Sequence, residues 1–208
     1  MKVKIGFIGQ GFIGKNYADN FQKRGYTVVR YATKPPYSLN KEKLKECDVV
    51  FIAVPTPTTK DGFDYSIVES VLPLIGKGKI AVIKSTILPG TTEKLQKKFK
   101  NIIVLHSPEF LSEKTAAQDV AKPVYNVVGI PGKPKDSKKM RIAVEKVLNI
   151  LPAAKVNVIC TSTESEFFKY LRNCFFYTKV LYMNLQYDLA KSIGVRWNFM
   201  EKLLRNDP

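Results

Sequence analysis

The chain has 208 residues, enough for one large domain or one domain with an extension, and a fold of that size buries about 70% of the surface its unfolded chain exposes. Hydrophobic residues make up 45% and charged residues 25%, with no low-complexity tract, which excludes disordered and fibrous classes. Thirty-four basic side chains against eighteen acidic ones leave a formal charge of +16, which attracts nucleic acid, acidic membrane surfaces and phosphate-bearing small molecules without choosing among them.

Short runs rich in Val and Ile recur in chain order at residues 3–9, 27–31, 48–54, 79–83 and 101–105, with 124–130 and 155–160 following. Helical stretches at 12–24, 64–75 and 89–99 separate several of them, a βαβ pattern that predicts a mainly parallel, buried sheet. Right-handed crossovers then give an α/β, Rossmann-like, doubly wound domain over residues 1–160. Residues 33–40, with Pro35 and Pro36, read as an irregular connection.

Thr161 and Glu164 have capping-box spacing, and one long helix is predicted from about Ser162 to Ile193, with Gly194 as its stop. Its Phe167, Phe168, Leu171, Phe175, Phe176, Val180, Leu181, Leu185, Leu189 and Ile193 cover more than one stripe, so burial on several sides is expected. A partner subunit or a further domain is the expected cover. Residues 161–208 thus read as a dimerisation helix plus a second helix starting at Trp197–Leu204, and the sequence reads as cut short.

No apolar run is long enough to span a bilayer, and Met1-Lys2-Val3-Lys4 opens no signal pattern, so a cytoplasmic protein is expected. Cys47, Cys160 and Cys174 show neither CxxC nor Cys/His spacing, which indicates buried free thiols and neither a disulfide framework nor a zinc site. The tightest basic cluster, Lys133, Lys135, Lys138, Lys139 and Arg141, sits at a loop and helix start; it reads as a solvated face, because no nucleic-acid-binding motif accompanies it.

Gly9-Gln10-Gly11-Phe12-Ile13-Gly14 is a G-x-G-x-x-G that follows the first strand and opens the first helix. In that context it reads as a dinucleotide loop: a tight turn, room for a pyrophosphate, close helix packing and a helix N-terminus facing the anion. The acid that usually ends strand two is missing, and Arg30, Thr33 and Lys34 stand there instead. They suit the 2′-phosphate of NADP or are merely solvated cations, so NAD and NADP both stay open.

Four further segments occur together: Val54-Pro55-Thr56-Pro57-Thr58 with Asp61, Gly62 and Asp64; Lys84 to Thr91; Ser107-Pro108-Glu109-Phe110-Leu111-Ser112-Glu113; and Glu166 to Asn173. The set resembles the UDP-glucose/GDP-mannose dehydrogenase family, which includes the UDP-N-acetylmannosamine dehydrogenases, over nearly the whole chain. The resemblance implies a nucleotide-sugar 6-dehydrogenase that oxidises a primary alcohol to a carboxylate in two NAD-dependent steps, as in polysaccharide biosynthesis. It implies cofactor contacts at Gly9 to Gly14, Val54, Pro55, Thr56, Thr86 and Glu113, and sugar contacts at Phe110 and Leu111. It also implies Glu109 as general base or water-activating acid, with Lys169, Asn173 and Thr86 as further catalytic residues.

His106, the one histidine, reads as structural. The catalytic Cys and the sugar-nucleotide domain that the resemblance implies have no counterpart among these residues, and the link between strands two and three is shorter than in the family. Two functions are therefore expected to compete: the cofactor-binding part of such a dehydrogenase, or a non-catalytic dinucleotide-binding or dimerisation module derived from it.

Overall fold

The computed structural model describes residues 3–132 and 138–206. Lys133 and Lys135 of the basic cluster, and the Met1-Lys2 start, lie outside the described residues.

β1 (Lys4–Ile8) leads through the glycine turn into α1 (Phe12–Lys23) and β2 (Thr27–Tyr31). Two 3-10 turns, Ser38–Asn40 and Glu42–Glu46, carry the chain to β3 (Val49–Ile52), followed by the small hairpin β4 (Thr58–Thr59) and β5 (Gly62–Phe63). The predicted helix at 64–75 is shorter: α2 (Ser66–Val71) gives way to a 3-10 turn at Leu72–Leu74. Pro73 accounts for this, since it has no N–H to donate and disfavours helical geometry before it.

β6 (Ile80–Ile83), α3 (Thr91–Lys98) and β7 (Ile103–His106) follow, then α4 (Ala116–Ala121), β8 (Tyr125–Ile130), α5 (Lys138–Ile150) and β9 (Val156–Thr161). α4 is an addition to the sequence reading, and α5 extends the helix start expected near Lys138. α6 (Ser162–Ser192) and α7 (Trp197–Arg205) complete the described chain. The capping box at the start of α6 is formed: the Thr161 amide and hydroxyl donate to the Glu164 carboxylate at 2.8 Å, and the Glu164 amide returns a bond to Thr161 Oγ1.

The large sheet has the order β2-β1-β3-β6-β7-β8-β9. The first five strands run parallel; β8 is antiparallel to β7 through the pair His106 and Gly129, and β9 is parallel to β8. β1, β3, β6 and β7 are buried on both faces, as their unbroken apolar runs require, whereas the edge strand β9, expected to be buried, leaves Val156, Val158 and Ile159 exposed. Ile5, Phe7, Val49, Phe51, Ile80, Val82, Ile103 and Leu105 pack on one side with Tyr17, Ala18 and Phe21 of α1 and Val144 and Val147 of α5. The alternate residues, Val50, Ile52, Ala81, Ile83 and Val104, pack on the other side with Leu44, Val68, Leu72 and Leu95. This two-residue period fixes the layers above and below the sheet.

The described residues form two compact units, divided inside α6 between Lys169 and Tyr170. In the second unit the long helix is not buried on several sides within this chain: Phe175, Tyr177, Leu181, Leu185 and Leu189 are all exposed. No helix among the described residues is long and apolar enough to cross a membrane.

Candidate functional site

Chain order reverses at β1, with β2 on one side and β3 on the other. A crevice opens at the carboxyl ends of the strands at such a switch point, and open α/β sheets bind ligands there. The glycine loop leaves β1 at that place. Gly9 has φ of 89°, and a Cβ there would lie 2.1 Å from the Ala53 carbonyl oxygen; one on Gly14 would lie 1.9 Å from the Gly9 oxygen. Both positions therefore need glycine for the turn and for the close approach of α1 to the sheet. Gly11 differs, since a Cβ there meets nothing within 4 Å.

Gly11 is also the N-cap of α1, with no side-chain cap and no acid in the first turn. The leading amides of α1 thus face open space with their positive dipole end uncompensated, an arrangement that fits a phosphate or pyrophosphate. Gln10 sits back from it, donating to the Gly9 carbonyl at 3.0 Å. Phe12 is exposed and Ile13 half-buried.

The turns after β3 and β6 are bonded to each other. The Val54 amide donates to Ser85 Oγ at 2.9 Å, Ser85 Oγ donates to the Val54 carbonyl at 2.7 Å, and Thr56 Oγ1 donates to the Thr86 carbonyl at 2.7 Å. The turn carrying Val54, Pro55 and Thr56, one strand from the glycine loop, is thereby tied to the turn carrying Thr86, two strands from it. Pro55 is exposed, and Thr86 is half-buried.

The turn after β7 holds the charged centre. Lys169 Nζ donates to Glu109 Oε1 at 2.7 Å and to the Glu109 carbonyl at 2.8 Å, and the Leu111 amide donates to Glu109 Oε2 at 2.7 Å. The two side chains are 6% and 11% exposed, so the pair is desolvated. Phe110 lies beside it, edge-on to Tyr125 and Phe168 and 5.7 Å from the Lys169 ammonium.

Around the pair are groups whose burial the sequence does not announce. Lys84 ends β6, is 2% exposed and donates to the Ser107 carbonyl at 2.9 Å, its ammonium 4.3 Å from the Tyr17 ring centroid. Burial lowers its pKa to about 7; the Glu109 charge opposes that shift and Lys169 adds to it. His106 is completely buried, its Nδ1 2.8 Å from Ser165 Oγ, and burial together with the nearby Lys84 and Lys169 charges lowers its pKa to about 3. The imidazole stays neutral, in line with a structural role.

Glu166 is fully buried and accepts from the Gly90 and Thr92 amides at 2.6 and 2.8 Å and from Thr92 Oγ1 at 2.5 Å. It caps α3 from 74 to 76 residues away, and its carboxyl is raised above the ordinary range by burial. α6 reaches these loops because residue 129 is glycine: a Cβ there would lie 2.7 Å from Ser165 Cβ and 2.8 Å from Ser162 Cα.

Glu113 is exposed on the turn before α4, and Asn173, which belongs to the second unit, is exposed as well. Arg30, expected as a cation ready for a 2′-phosphate, is 8% exposed and tied to α1: it donates to Asp19 Oδ1 at 2.6 Å and to Gln22 Oε1. Thr33 and Lys34 are exposed. Of the thiols, Cys47 is buried and Cys160 half-buried, both pushed up to about 11 by burial, and Cys174 is exposed. Among the described residues no His, Cys, Asp and Glu group is placed to hold a metal.

Residues 37–148 match the NAD binding domain of the UDP-glucose/GDP-mannose dehydrogenase family. A UDP-glucose 6-dehydrogenase of Rickettsia conorii is 30% identical over 166 residues, which are 76% of this chain and 37% of that protein. An uncharacterized protein of Methanocaldococcus jannaschii is 32% identical over 165 residues, 74% of this chain and 18% of its own length. The fold matches that of a UDP-glucose dehydrogenase from the hyperthermophilic archaeon Pyrobaculum islandicum with a TM-score of 0.83 at 24% identity, over 100% of this chain and 57% of that one. The chain therefore spans well under half the length of these two curated relatives. Since the family match takes in more than half of its residues, the chain belongs to the UDP-glucose/GDP-mannose dehydrogenase family and carries that family's NAD binding domain.

Proposed function

We propose that the chain is the cofactor-binding part of an NAD-dependent nucleotide-sugar 6-dehydrogenase, in which residues 1–160 bind the dinucleotide and residues 161–208 supply Lys169, Asn173 and a dimer surface. The observation that carries this reading is the desolvated Glu109–Lys169 pair at the carboxyl edge of the same sheet that presents the open glycine cradle. The ends of β1 and β7 lie three strand spacings apart in the sheet order, about 14 Å. Gly9, Gly11 and Gly14 hold the pyrophosphate, with Val54, Pro55, Thr56, Thr86 and Glu113 along the rest of the cofactor. When bound, NAD supplies the hydride acceptor.

The protein's own part is proton and charge handling. Glu109 takes the proton from the sugar's primary alcohol, and Lys169 stabilises negative charge on the alcohol oxygen in a site shielded from water. Phe110 and Leu111 face the sugar. The preferred cofactor is NAD rather than NADP, because the Arg30 guanidinium is already committed to Asp19 and Gln22. The family resemblance implies a thiolate nucleophile for complete oxidation to the carboxylate, and burial keeps Cys47 and Cys160 as thiols at neutral pH. The isolated 208 residues are accordingly expected to bind NAD without completing both steps. The exposed apolar side chains of α6 fit a second copy of the chain, to be checked by sedimentation.

Calorimetric titration with NAD, NADH, NADP and NADPH at two salt concentrations tests the reading, since salt screens mere phosphate attraction to a +16 protein. One-site NAD binding that survives high salt is expected, with NADP weaker. Gly11→Ala fills open space, so it should cut affinity at least about tenfold while leaving the melting temperature nearly unchanged. Binding that salt erases, or that Gly11→Ala leaves intact, refutes the cofactor assignment.

A further inference from the structure

The Ser107-Pro108-Glu109 turn is gripped by two ammonium groups that come from different elements. Lys169 reaches it from α6 and holds the Glu109 carbonyl and carboxylate. Lys84 reaches it from the end of β6 and holds the Ser107 carbonyl at 2.9 Å, with Ser107 Oγ 3.4 Å away. The turn contains Pro108, so its shape depends on few backbone amides of its own and on what holds its carbonyls.

Lys84 is an expensive way to hold a carbonyl. It is buried to 2% exposure, between the Tyr17 ring at 4.3 Å, the Phe51 ring at 5.9 Å and Ser107. A buried ammonium loses its hydration, and an apolar side chain of the same length avoids that loss, so packing alone does not call for lysine here. The same strand end continues into Ser85 and Thr86, which hold the Val54 and Thr56 turn on the cofactor side. One three-residue segment therefore joins the cofactor-side turn to the turn that carries the acid.

We infer that Lys84 is a positioning residue for the Glu109–Lys169 pair, acting through the Ser107 carbonyl to fix the turn from which the Glu109 carboxylate faces Lys169. The inference takes its meaning from the dehydrogenase reading, but it concerns the shape of the turn and can be tested without cofactor or substrate. A failure of one is therefore distinguishable from a failure of the other.

The reporter is the Leu111 amide, which donates to Glu109 Oε2 at 2.7 Å and so exchanges with solvent when the turn is released. Hydrogen exchange is followed residue by residue in the wild-type 208-residue chain and in Lys84→Met and Lys84→Gln, with Val82 and Val104 of the neighbouring strands as references. The expected result is a fall of at least tenfold in Leu111 protection relative to those references, while urea midpoints of the variants are equal to or above wild type at neutral pH. A merely structural role shifts all three amides together, and that outcome overturns the inference. Unchanged protection at Leu111 overturns it as well. So does failure of both variants to fold, since Lys84 would then be a requirement of the fold rather than of the turn.

Discussion

Replacing Lys169 with Met strands the Glu109 carboxylate in a site where its side chain is 11% exposed. At 2.7 Å and an effective dielectric of about 20, the attraction between the two charges is about 6 kcal/mol, set against several kcal/mol of desolvation for each ion. The intact pair is thus nearly balanced, whereas either charge alone keeps its desolvation and loses the attraction. Lys169→Met also removes the donor to the Glu109 carbonyl. The expected loss of stability is about 3–5 kcal/mol for Lys169→Met and about 2–4 kcal/mol for Glu109→Gln, where the amide oxygen still accepts from a neighbouring donor. The double variant removes both charges of the pair, and its loss should fall short of the summed single losses by at least about 2 kcal/mol. Urea unfolding of the four proteins at neutral pH, with equal m-values required, measures this cycle. Additive losses, within about 0.5 kcal/mol, refute the view that Glu109 and Lys169 form one desolvated unit.

Gly129→Ala places a methyl group 2.7 Å from Ser165 Cβ and 2.8 Å from Ser162 Cα, so α6 must move and stability should fall by about 1–3 kcal/mol; a wild-type urea midpoint contradicts the close approach. Lys84 has its pKa lowered from the ordinary 10.5 to about 7, so the folded chain binds fewer protons than the unfolded chain between those values. Stability should therefore rise as pH increases from 7, by up to about 1.4 kcal/mol per pH unit. Urea midpoints at pH 7, 8 and 9 check this, and Lys84→Met should abolish the rise. A disulfide reagent at pH 8 should modify Cys174 fast and Cys47 and Cys160 slowly, since burial holds the latter two at about 11; equal rates at all three would show that the buried thiols open readily.

Local signals in the sequence carried the fold. Val49 to Ile52 and Ile80 to Ile83 are unbroken apolar runs because both faces of those strands are covered, and the glycine spacing, the capping box and Gly194 mark where helices begin and end. α4 escaped because its six residues make fewer than two helical turns, too few for a repeating pattern, and the shortening of α2 rests on Pro73. The site was legible where a motif is contiguous, as in Gly9 to Gly14. What the sequence did not show is pairing across 60 to 76 residues: the resemblance named Glu109 and Lys169 separately, but neither their contact nor that of Glu166 with Gly90 could be read from local pattern. Arg30 shows the same limit from the other side: its place near the end of strand two suggested a phosphate, and a helix partner 11 residues upstream had already claimed it.

One long-range feature nevertheless had a local signature. Ser162, Ser165, Glu166 and Lys169 follow the i, i+3, i+4, i+7 spacing of a single helical face, and all four are buried. Phe167, Leu171 and Phe175, in the same helix, are exposed. This inverts the usual arrangement, in which the apolar stripe of a helix turns inward. A polar stripe turned inward is costly unless its members meet partners, and here three of the four do: Ser165 meets His106, Glu166 meets the start of α3 and Lys169 meets Glu109, while Ser162 Oγ is buried without a hydrogen-bond partner. The first two turns of α6 are thus a strut that fixes the ends of β6 and β7, and the inverted stripe is what such a strut looks like in sequence. The outward Phe167, Leu171 and Phe175 follow from the same inversion: where the polar side chains of the first turns are spent inside the first unit, the apolar ones of that stretch are left facing out.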